Sequence, residues 1–294
     1  MDDLLFHEFY LINKNNLKLN ILEGRYLNNP QAIVINIHGI GSHFQPIINE
    51  TCFDNFYSRD KLFHSYDIKS YALEFQGHGK SEGEKCLIND FNNLIEDIRV
   101  LIEYLNQRYP IQKKYIIAES MGGNAAIRYC VKYNDIGGLI LLSPMCGIHK
   151  EIIPNYCLRN ILLPLSHILP NFPLIAKHES EMSVHNKNYN KMKKKCKYNY
   201  NGYIKLATGR ECLNASLTIS KIISKFTTPV IAFHDLDDKI TDPYITKLFI
   251  KNCKSSNKKF VAIKNSHHCL LLLNDKKSNS PLDIINQIIN WIIK

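Results

Sequence analysis

The stretch that decides the fold is AESMGG at residues 118–123. Its serine lies between a segment with the hydrophobic pattern of a strand and a segment with that of a helix. The apolar run at 114–118 predicts a buried strand, and the pattern at 121–132 predicts a helix directly after it. A serine at such a sharp strand-to-helix turn has a strained backbone, so the residues two before and two after it must be small. The alanine and glycine of this stretch meet that need. The turn also places Ser120 at a helix N-terminus, where free N–H groups favour a developing negative charge.

Strand-like and helix-like patterns alternate on both sides of this turn. Short apolar runs predict strands, and apolar residues spaced three or four apart predict helices. Such alternation is typical of the α/β class, with a mostly parallel central sheet and helices on both faces. Apolar positions before Asn29 indicate added antiparallel strands at one edge. The predicted strands are 32–37, 67–75, 114–118, 137–142, 229–234 and 259–263, and the predicted helices are 91–105, 121–132 and 281–293.

One long segment interrupts the alternation. Residues 145–212 have no strand–helix rhythm, and they pass from an apolar stretch broken by prolines to a part rich in Tyr, Asn and Lys. Connections longer than about 15 residues are uncommon in compact domains. We therefore predict that 145–212 is a cap subdomain, inserted between a first core part at 1–144 and a second core part at 213–294.

A second motif, HGIGSH at 38–43, follows the first buried strand. Glycines at a strand end let the backbone turn its N–H groups outward, and an oxyanion hole needs two such donors. We assign the donors to the N–H groups of Ile40 and Met121, and the loss of one such donor typically costs about 3 kcal/mol. His38 and His43 either brace this loop by hydrogen bonds or take part in proton transfer, and bracing is our working interpretation.

A serine hydroxyl is a poor nucleophile without a base, and the base needs an acid to orient it. In folds with this type of serine turn, the three residues follow in the order serine, acid, histidine. The segment 229–243 is a predicted strand followed by a loop rich in aspartate, and 264–269 follows the next strand with two adjacent histidines. Both loops lie at the carboxyl ends of strands, where the functional residues of such sheets gather. The chain therefore supplies all three residue types in the required order.

These motifs resemble those of the monoacylglycerol lipase and lysophospholipase family of serine α/β-hydrolases. The family's HGxGEH motif is present as HGIGSH (38–43), its DxxGHGxSEG loop as EFQGHGKSEG (74–83), and its GHSMGG or GESMGG motif as AESMGG (118–123). The resemblance covers about residues 30–150 and 225–294, and it is weak in the predicted cap. A composition rich in Asn, Lys and Ile is similar to that of apicomplexan members.

The same resemblance implies the two remaining site residues. The family's PVLxxxGxxDxxx motif is present as PVIAFHDLDDKIT, which aligns Asp238 with the catalytic acid. Its GxxHxxxxE motif aligns His268 with the catalytic histidine. Asp235 stands where the family usually has glycine, and the neighbours Asp237 and His267 stay as alternatives for the acid and the base.

The resemblance implies a serine hydrolase that cleaves the carboxylic ester of a lipid with one acyl chain, a monoacylglycerol or a lysophospholipid. An acyl-serine intermediate forms on Ser120 and releases a fatty acid, and no metal or organic cofactor is required. Two alternatives stay open: a broad short-chain carboxylesterase or thioesterase, and a non-catalytic protein that binds a lipid or a partner. Dehalogenase and epoxide hydrolase chemistry needs aspartate at the position of Ser120.

Composition and charge restrict the partners. Hydrophobic residues make up 45% and charged residues 22% of the 294, an ordinary globular composition. The net charge of +10 reflects either a lysine-rich proteome or an anionic membrane partner, and scattered lysines without a known module argue against nucleic acid. The apolar residues of the cap either line an acyl pocket or pack on the core beneath. The basic tract 191–197 is either a solvated face or a surface that attracts anionic lipid.

Cysteine usage and hydropathy predict the compartment. The nine cysteines include no C-x-x-C pair, and the N-terminus has no basic stretch followed by an apolar one. No apolar run reaches the ~18 residues that a membrane-spanning helix needs. We therefore expect a cytoplasmic protein with reduced thiols, in contact with membranes at most peripherally.

Overall fold

The computed structural model describes residues 6–45, 55–175, 187–272 and 281–294. Eight of its strands form one sheet, and two others form a separate antiparallel ribbon. The strands are β1 (His7–Ile12), β2 (Lys18–Glu23), β3 (Ala32–Ile37), β4 (Ile68–Leu73), β5 (Lys113–Glu119), β6 (Gly138–Leu142), β7 (Pro173–Ile175), β8 (Ile204–Lys205), β9 (Val230–Asp235) and β10 (Lys258–Ile263).

The large sheet has the order β1-β2-β4-β3-β5-β6-β9-β10. Its first two strands are antiparallel, and the six from β4 to β10 run parallel to one another. The predicted α/β class is therefore confirmed, including the antiparallel strands at one edge. Because parallel strands end on the same side of a sheet, the loops after β3, β5, β9 and β10 meet at one edge.

Eight α-helices flank or extend this sheet within the described ranges. Three of them match the helices predicted from periodicity at 91–105, 121–132 and 281–293, and the other five were not predicted. The helices are α1 (Phe56–His64), α2 (Asn92–Arg108), α3 (Ser120–Tyr133), α4 (Tyr156–Ile168), α5 (Lys187–Lys195), α6 (Leu206–Leu217), α7 (Pro243–Asn252) and α8 (Pro281–Ile292).

Hydrophobic residues on alternate positions of β3 build two cores, one on each face of the sheet. Ile33 and Ile35 pack in the cluster that contains the apolar faces of α2 and α3. Val34 points to the opposite face and packs in the cluster that contains Ile284 and Ile288 of α8. All five side chains are fully buried. Truncating one of these isoleucines to alanine typically costs about 2–5 kcal/mol, so packing on both faces stabilises the sheet that carries the loops at its edge.

Helix α7 begins with a local signal that periodicity does not reveal. The side chain of Asp242 accepts hydrogen bonds from the N–H groups of Tyr244 and Ile245 at 2.8 and 3.4 Å. Pro243 occupies the first helical position, where its missing N–H is not needed. The Asp-Pro pair therefore starts the helix that follows the aspartate-rich loop.

The region predicted as a cap contains α4, the ribbon of β7 and β8, α5 and the start of α6. Residues 176–186, within the predicted cap, lie outside the described residues. Position 212, where we place the end of the cap, lies inside α6. The division into core and cap stays a prediction.

No helix in the described ranges is both long enough and apolar enough to cross a membrane.

Candidate active site

The predicted nucleophile Ser120 lies at the turn from β5 to α3. Its φ angle is 51°, in the left-handed region that a residue other than glycine rarely adopts and that costs about 1–3 kcal/mol. The carbonyl oxygen of Ser120 accepts the N–H of Met145 at 2.8 Å. A Cβ atom at Gly122 would lie 2.5 Å from the carbonyl oxygen of His38. The glycine two residues after the serine is thus required by close backbone contact, as the sequence pattern predicts.

The HGIGSH loop lies against this serine. A Cβ atom at Gly39 would lie 3.1 Å from the Cβ of Ser120. Ile40 lines the same cavity as Ser120, and Met121 is in the first turn of α3, where N–H groups lack helical partners. These positions are compatible with the oxyanion-hole roles that we predict for the N–H groups of Ile40 and Met121.

His38 braces the loop as a neutral imidazole. Its Nε2 accepts the N–H of Phe75 at 3.1 Å, so its proton is on Nδ1, which donates to the carbonyl oxygen of Gly39 at 2.7 Å. Burial and the neighbouring imidazole of His78 lower the pKa of His38 well below its ordinary value. These contacts support the bracing interpretation for His38 over a role in proton transfer.

Residues of the predicted cap hold the far side of the loop. The N–H of Tyr200 donates to the carbonyl oxygen of Gly41 at 3.0 Å. The Nε2 of His43 lies 3.3 Å from the Sγ of Cys196, and its ring makes an edge contact with Tyr198. The N–H of Gln45 donates to Nδ1 of His43, which places the ring proton on Nε2. The HGIGSH loop is therefore anchored on two sides, by Phe75 in the segment after β4 and by residues of the predicted cap.

Glu74, which replaces the family's aspartate, ties neighbouring loops together. Its carboxylate accepts the N–H groups of Phe44 and Lys80 at 2.9 and 2.8 Å, and the side-chain amide of Asn20 at 3.0 Å. The side chain is fully buried, and burial raises the pKa of Glu74. A Cβ atom at Gly79 would lie 2.2 Å from this carboxylate, which explains the glycine of the GHG motif.

The structure brings Asp238 and His268 into contact. Nδ1 of His268 donates to Oδ2 of Asp238 at 2.7 Å, and the hydroxyl of Thr241 donates to the same oxygen at 2.8 Å. Oδ1 accepts the N–H groups of Ile240 and Thr241 at 2.7 and 3.2 Å. Burial alone would raise the pKa of Asp238, but the charge of His268 and hydrogen bonds from His234 and His268 hold it well below the usual range. The carboxylate is therefore ionised and fully engaged.

The two alternative residues occupy different positions. Asp237 is exposed, and its backbone N–H donates to Oδ1 of Asp235 at 2.8 Å. The backbone N–H of His267 donates to the other carboxylate oxygen of Asp235, also at 2.8 Å. Of the residues that the sequence offers, the pair that this geometry favours is Asp238 with His268.

Two buried residues near the site were missed by sequence reasoning. His234, at the end of β9, lies with its Nε2 3.1 Å from Oδ2 of Asp238. Arg59, in α1, is fully buried and forms an ion pair with Glu119, the residue before the predicted nucleophile. A charged or titratable residue inside an apolar element needs a partner, and that signal was available for His234 in the run 229–234.

A cavity of about 270 Å³ opens above these residues, and Ser120, Ile40 and His268 all line it. Ser120 and His268 share the cavity without a hydrogen bond between their side chains. Arg159 and Lys193 are two of its charged lining residues. The rest of the wall is mainly apolar, with contributions from Ile148, Ile152, Ile153, Leu162, Leu163 and Leu213. Five of these six lie within the predicted cap, 145–212.

Metal binding has no candidate centre in the part of the chain that the structure describes, because no three His, Cys, Asp or Glu side chains are grouped for it.

One family model and several known lipases are similar to this chain. A family model described as serine aminopeptidase, S33, matches residues 28–277. Human monoglyceride lipase is 22% identical over 271 residues, which cover 90% of this chain and 82% of the human protein. A monoglyceride lipase homolog of Monkeypox virus is 26% identical over 271 residues, which cover 90% of both chains.

A solved structure shares the fold. The soluble variant of monoglyceride lipase from Saccharomyces cerevisiae, in complex with a substrate analog, superposes with a TM-score of 0.79. The superposition covers 99% of this chain and 95% of the yeast chain at 19% identity. At this identity the likeness establishes the common architecture alone.

Proposed function

We propose, because this chain belongs to the serine aminopeptidase S33 family of hydrolases, that it releases the fatty acid from a lipid ester with one acyl chain. The family membership confirms the resemblance that the motifs indicate, and the enzyme is an ester hydrolase. The observation that carries the lipid proposal is the mainly apolar cavity, which both Ser120 and His268 line. Monoacylglycerol is the substrate class that the human and viral relatives suggest by name.

The proposed mechanism follows from the roles of the three side chains. His268 takes the proton of Ser120 as its oxygen attacks the ester carbonyl, and Asp238 keeps the imidazole in the correct tautomer. The N–H groups of Ile40 and Met121 stabilise the oxyanion. Collapse of this intermediate passes the proton from His268 to the leaving alcohol and leaves an acyl-serine. Water, deprotonated by the same histidine, then releases the carboxylic acid and restores the serine.

The cavity wall supports an acyl chain as the group that binds. Each methylene moved from water into an apolar site contributes about 0.8 kcal/mol. The contributing residues of α4 and of the segment before it come from the predicted cap. A short-chain ester would leave most of this wall without contacts. A broad short-chain carboxylesterase is therefore the second candidate function.

We expect wild-type protein to hydrolyse monoolein. In a series of monoacylglycerols, kcat/KM should rise by at least about 100-fold as the acyl chain lengthens from four to eighteen carbons. Liberated fatty acid is measured by mass spectrometry, with Ser120→Ala as the blank. Oleoyl lysophosphatidylcholine in parallel separates the two lipid headgroups. A series that falls with chain length would favour the short-chain esterase, and no turnover of any ester would contradict the proposal.

The outer face of the cap is the surface that would contact a membrane. Ile161 and Ile168 on α4 are 64% and 75% exposed, and the basic tract 191–197 follows in the same predicted cap. Exposed apolar side chains and lysines in one cap suit an anionic lipid surface, to which each lysine adds about 1 kcal/mol. Substrate would then pass from the bilayer to the cavity beneath the cap.

Replacing Ile161 and Ile168 together with serine should lower binding to vesicles of phosphatidylcholine and phosphatidylserine by about tenfold, because two apolar anchors are lost. Co-sedimentation measures the bound fraction. Ile111→Ser is the matched control, since Ile111 is 89% exposed and lies just before β5, at the sheet end opposite the site. Equal loss in both variants, or no binding by wild type, would rule out the cap as the contact.

A further inference from the structure

We propose that His234 and Asp235, the last two residues of β9, are positioning residues that hold the two loop-borne members of the triad. His234 holds the acid Asp238, and Asp235 holds the loop that carries His268. This inference rests on the proposed hydrolase function, because it assigns roles relative to that triad. It concerns a pair of side chains that neither transfers a proton to substrate nor contacts it.

Asp235 binds the backbone of two loops with one carboxylate. Its Oδ2 accepts the N–H of Ser266 at 2.5 Å and that of His267 at 2.8 Å. Its Oδ1 accepts the N–H of Asp237 at 2.8 Å. The side chain is fully buried, so these three hydrogen bonds are shielded from water.

The loop that Asp235 binds has an uncommon backbone conformation. Asn265 and His267 have φ angles of 62° and 54°, both in the left-handed region. Such residues persist only where surrounding contacts enforce the conformation. His268 follows directly, so the direction of its imidazole depends on this turn. The motif of the family has glycine at the position of Asp235, and glycine has no side chain to provide this anchor.

His234 binds the acid from the opposite side of the strand. The hydroxyl of Thr246 lies 2.9 Å from its Nδ1, closer than the alternative acceptor, the carbonyl oxygen of Asp242, at 3.4 Å. Donation from Thr246 leaves the proton of His234 on Nε2, which donates to Oδ2 of Asp238 at 3.1 Å. His234 and Thr246 are both fully buried. The acid is thus held by an imidazole whose own tautomer is held by α7.

The geometry of a strand explains why two adjacent residues can do this. Successive side chains of a strand point to opposite faces, so His234 and Asp235 reach different loops from one backbone position. β9 lies between β6 and β10 in the sheet, and its partner for Asp235 is Ile263, the last residue of β10. Both triad loops are therefore held by β9, a strand that is paired with a neighbouring strand on each side.

The first test compares Asp235→Asn with wild type. Asparagine keeps the size but turns an amide towards N–H donors, so the His268 loop should lose its position. We expect kcat per active site to fall about 100-fold with KM changed less than about threefold. Active sites are counted by stoichiometric fluorophosphonate labelling at completion. Asp97→Asn is the control, because Asp97 is a buried carboxylate that accepts the N–H of Gln76 away from the cavity.

The second test compares two replacements of His234. Glutamine keeps an N–H that can reach Asp238, and leucine of similar volume has none. We expect His234→Leu to lose about 30-fold in kcat per active site and His234→Gln to recover most of it. Thr246→Val, which removes the hydroxyl beside Nδ1 of His234, should fall between wild type and His234→Leu. Thermal unfolding of every variant measures how much folded protein each assay contains.

A purely structural role predicts a different pattern. Variants would then have fewer labelled sites and lower melting temperatures, with kcat per labelled site unchanged, and that result would overturn the inference. Equal losses for glutamine and leucine at 234 would overturn the part that concerns His234. If wild type neither hydrolyses esters nor reacts with fluorophosphonate, the proposed function itself fails. If wild type is active and Ser120→Ala is not, while Asp235→Asn keeps full kcat, only the positioning roles fail.

Discussion

Replacing Ser120 with alanine is expected to abolish fluorophosphonate labelling and to lower kcat for ester hydrolysis by about 10⁶-fold. No other hydroxyl stands at the junction of β5 and α3, where the left-handed backbone and the close Gly122 present the oxygen to the cavity. The residual rate would come from the oxyanion hole and substrate binding alone. Fatty acid release from monoolein and in-gel labelling measure the two effects.

A second serine of the same cavity is the matched control for labelling. Ser42 lines the cavity from the HGIGSH loop. Ser42→Ala should still be labelled, because the reactive serine is retained. If Ser120→Ala is still labelled and the label disappears only when Ser42→Ala is added, then Ser42 is the nucleophile and the assignment of Ser120 is wrong.

Asp238→Asn should lower kcat about 10⁴-fold, whereas Asp237→Asn should change it less than about threefold. The carboxylate of Asp238 accepts Nδ1–H of His268 at 2.7 Å and fixes the tautomer that leaves Nε2 free as the base. An asparagine amide can donate to Nδ1 instead and hold the wrong tautomer. Asp237 is exposed and one residue away, so it controls for the loss of a charge in this loop.

Steady-state kinetics on monoolein measure both variants. Circular dichroism checks that each is folded, because Asp238 also accepts the N–H groups of Ile240 and Thr241. A large loss in Asp237→Asn with little loss in Asp238→Asn would move the acid role to Asp237. The same comparison applied to His267→Gln and His268→Gln assigns the base.

Local patterns were sufficient for the sheet and for the serine turn. Apolar runs define the strands because both faces of a parallel sheet are buried, and the small residues around Ser120 follow from steric contact within a few positions. Helix α1 escaped detection for a physical reason. Its buried face contains Arg59 and Asp60 beside Phe56 and Phe63, so charged residues break the apolar stripe that periodicity detects.

The motifs align Asp238 and His268 with the acid and the histidine of the family, but the choice between each residue and its neighbour depends on contacts that no local pattern contains. The sequence offers adjacent aspartates and adjacent histidines, and a one-residue shift changes the direction of a side chain completely. Only the packing of the loop after β10 against the loop after β9 brings His268, rather than its neighbour, onto Asp238. The supporting roles of His234 and Thr246 are equally non-local, because they depend on where α7 packs against β9.

We expect the anchoring of the HGIGSH loop by the predicted cap to make turnover depend on the length of the substrate. The contacts of Tyr200 with Gly41 and of Cys196 with His43 span 3.0 and 3.3 Å, so a cap displaced by a few ångströms cannot keep them. A long acyl chain that holds the cap in place would then also keep the proposed oxyanion hole complete, and part of its binding energy would be expressed as rate. Truncated esters would lose kcat along with affinity, which is induced-fit discrimination carried out by a lid that shares hydrogen bonds with the catalytic loop.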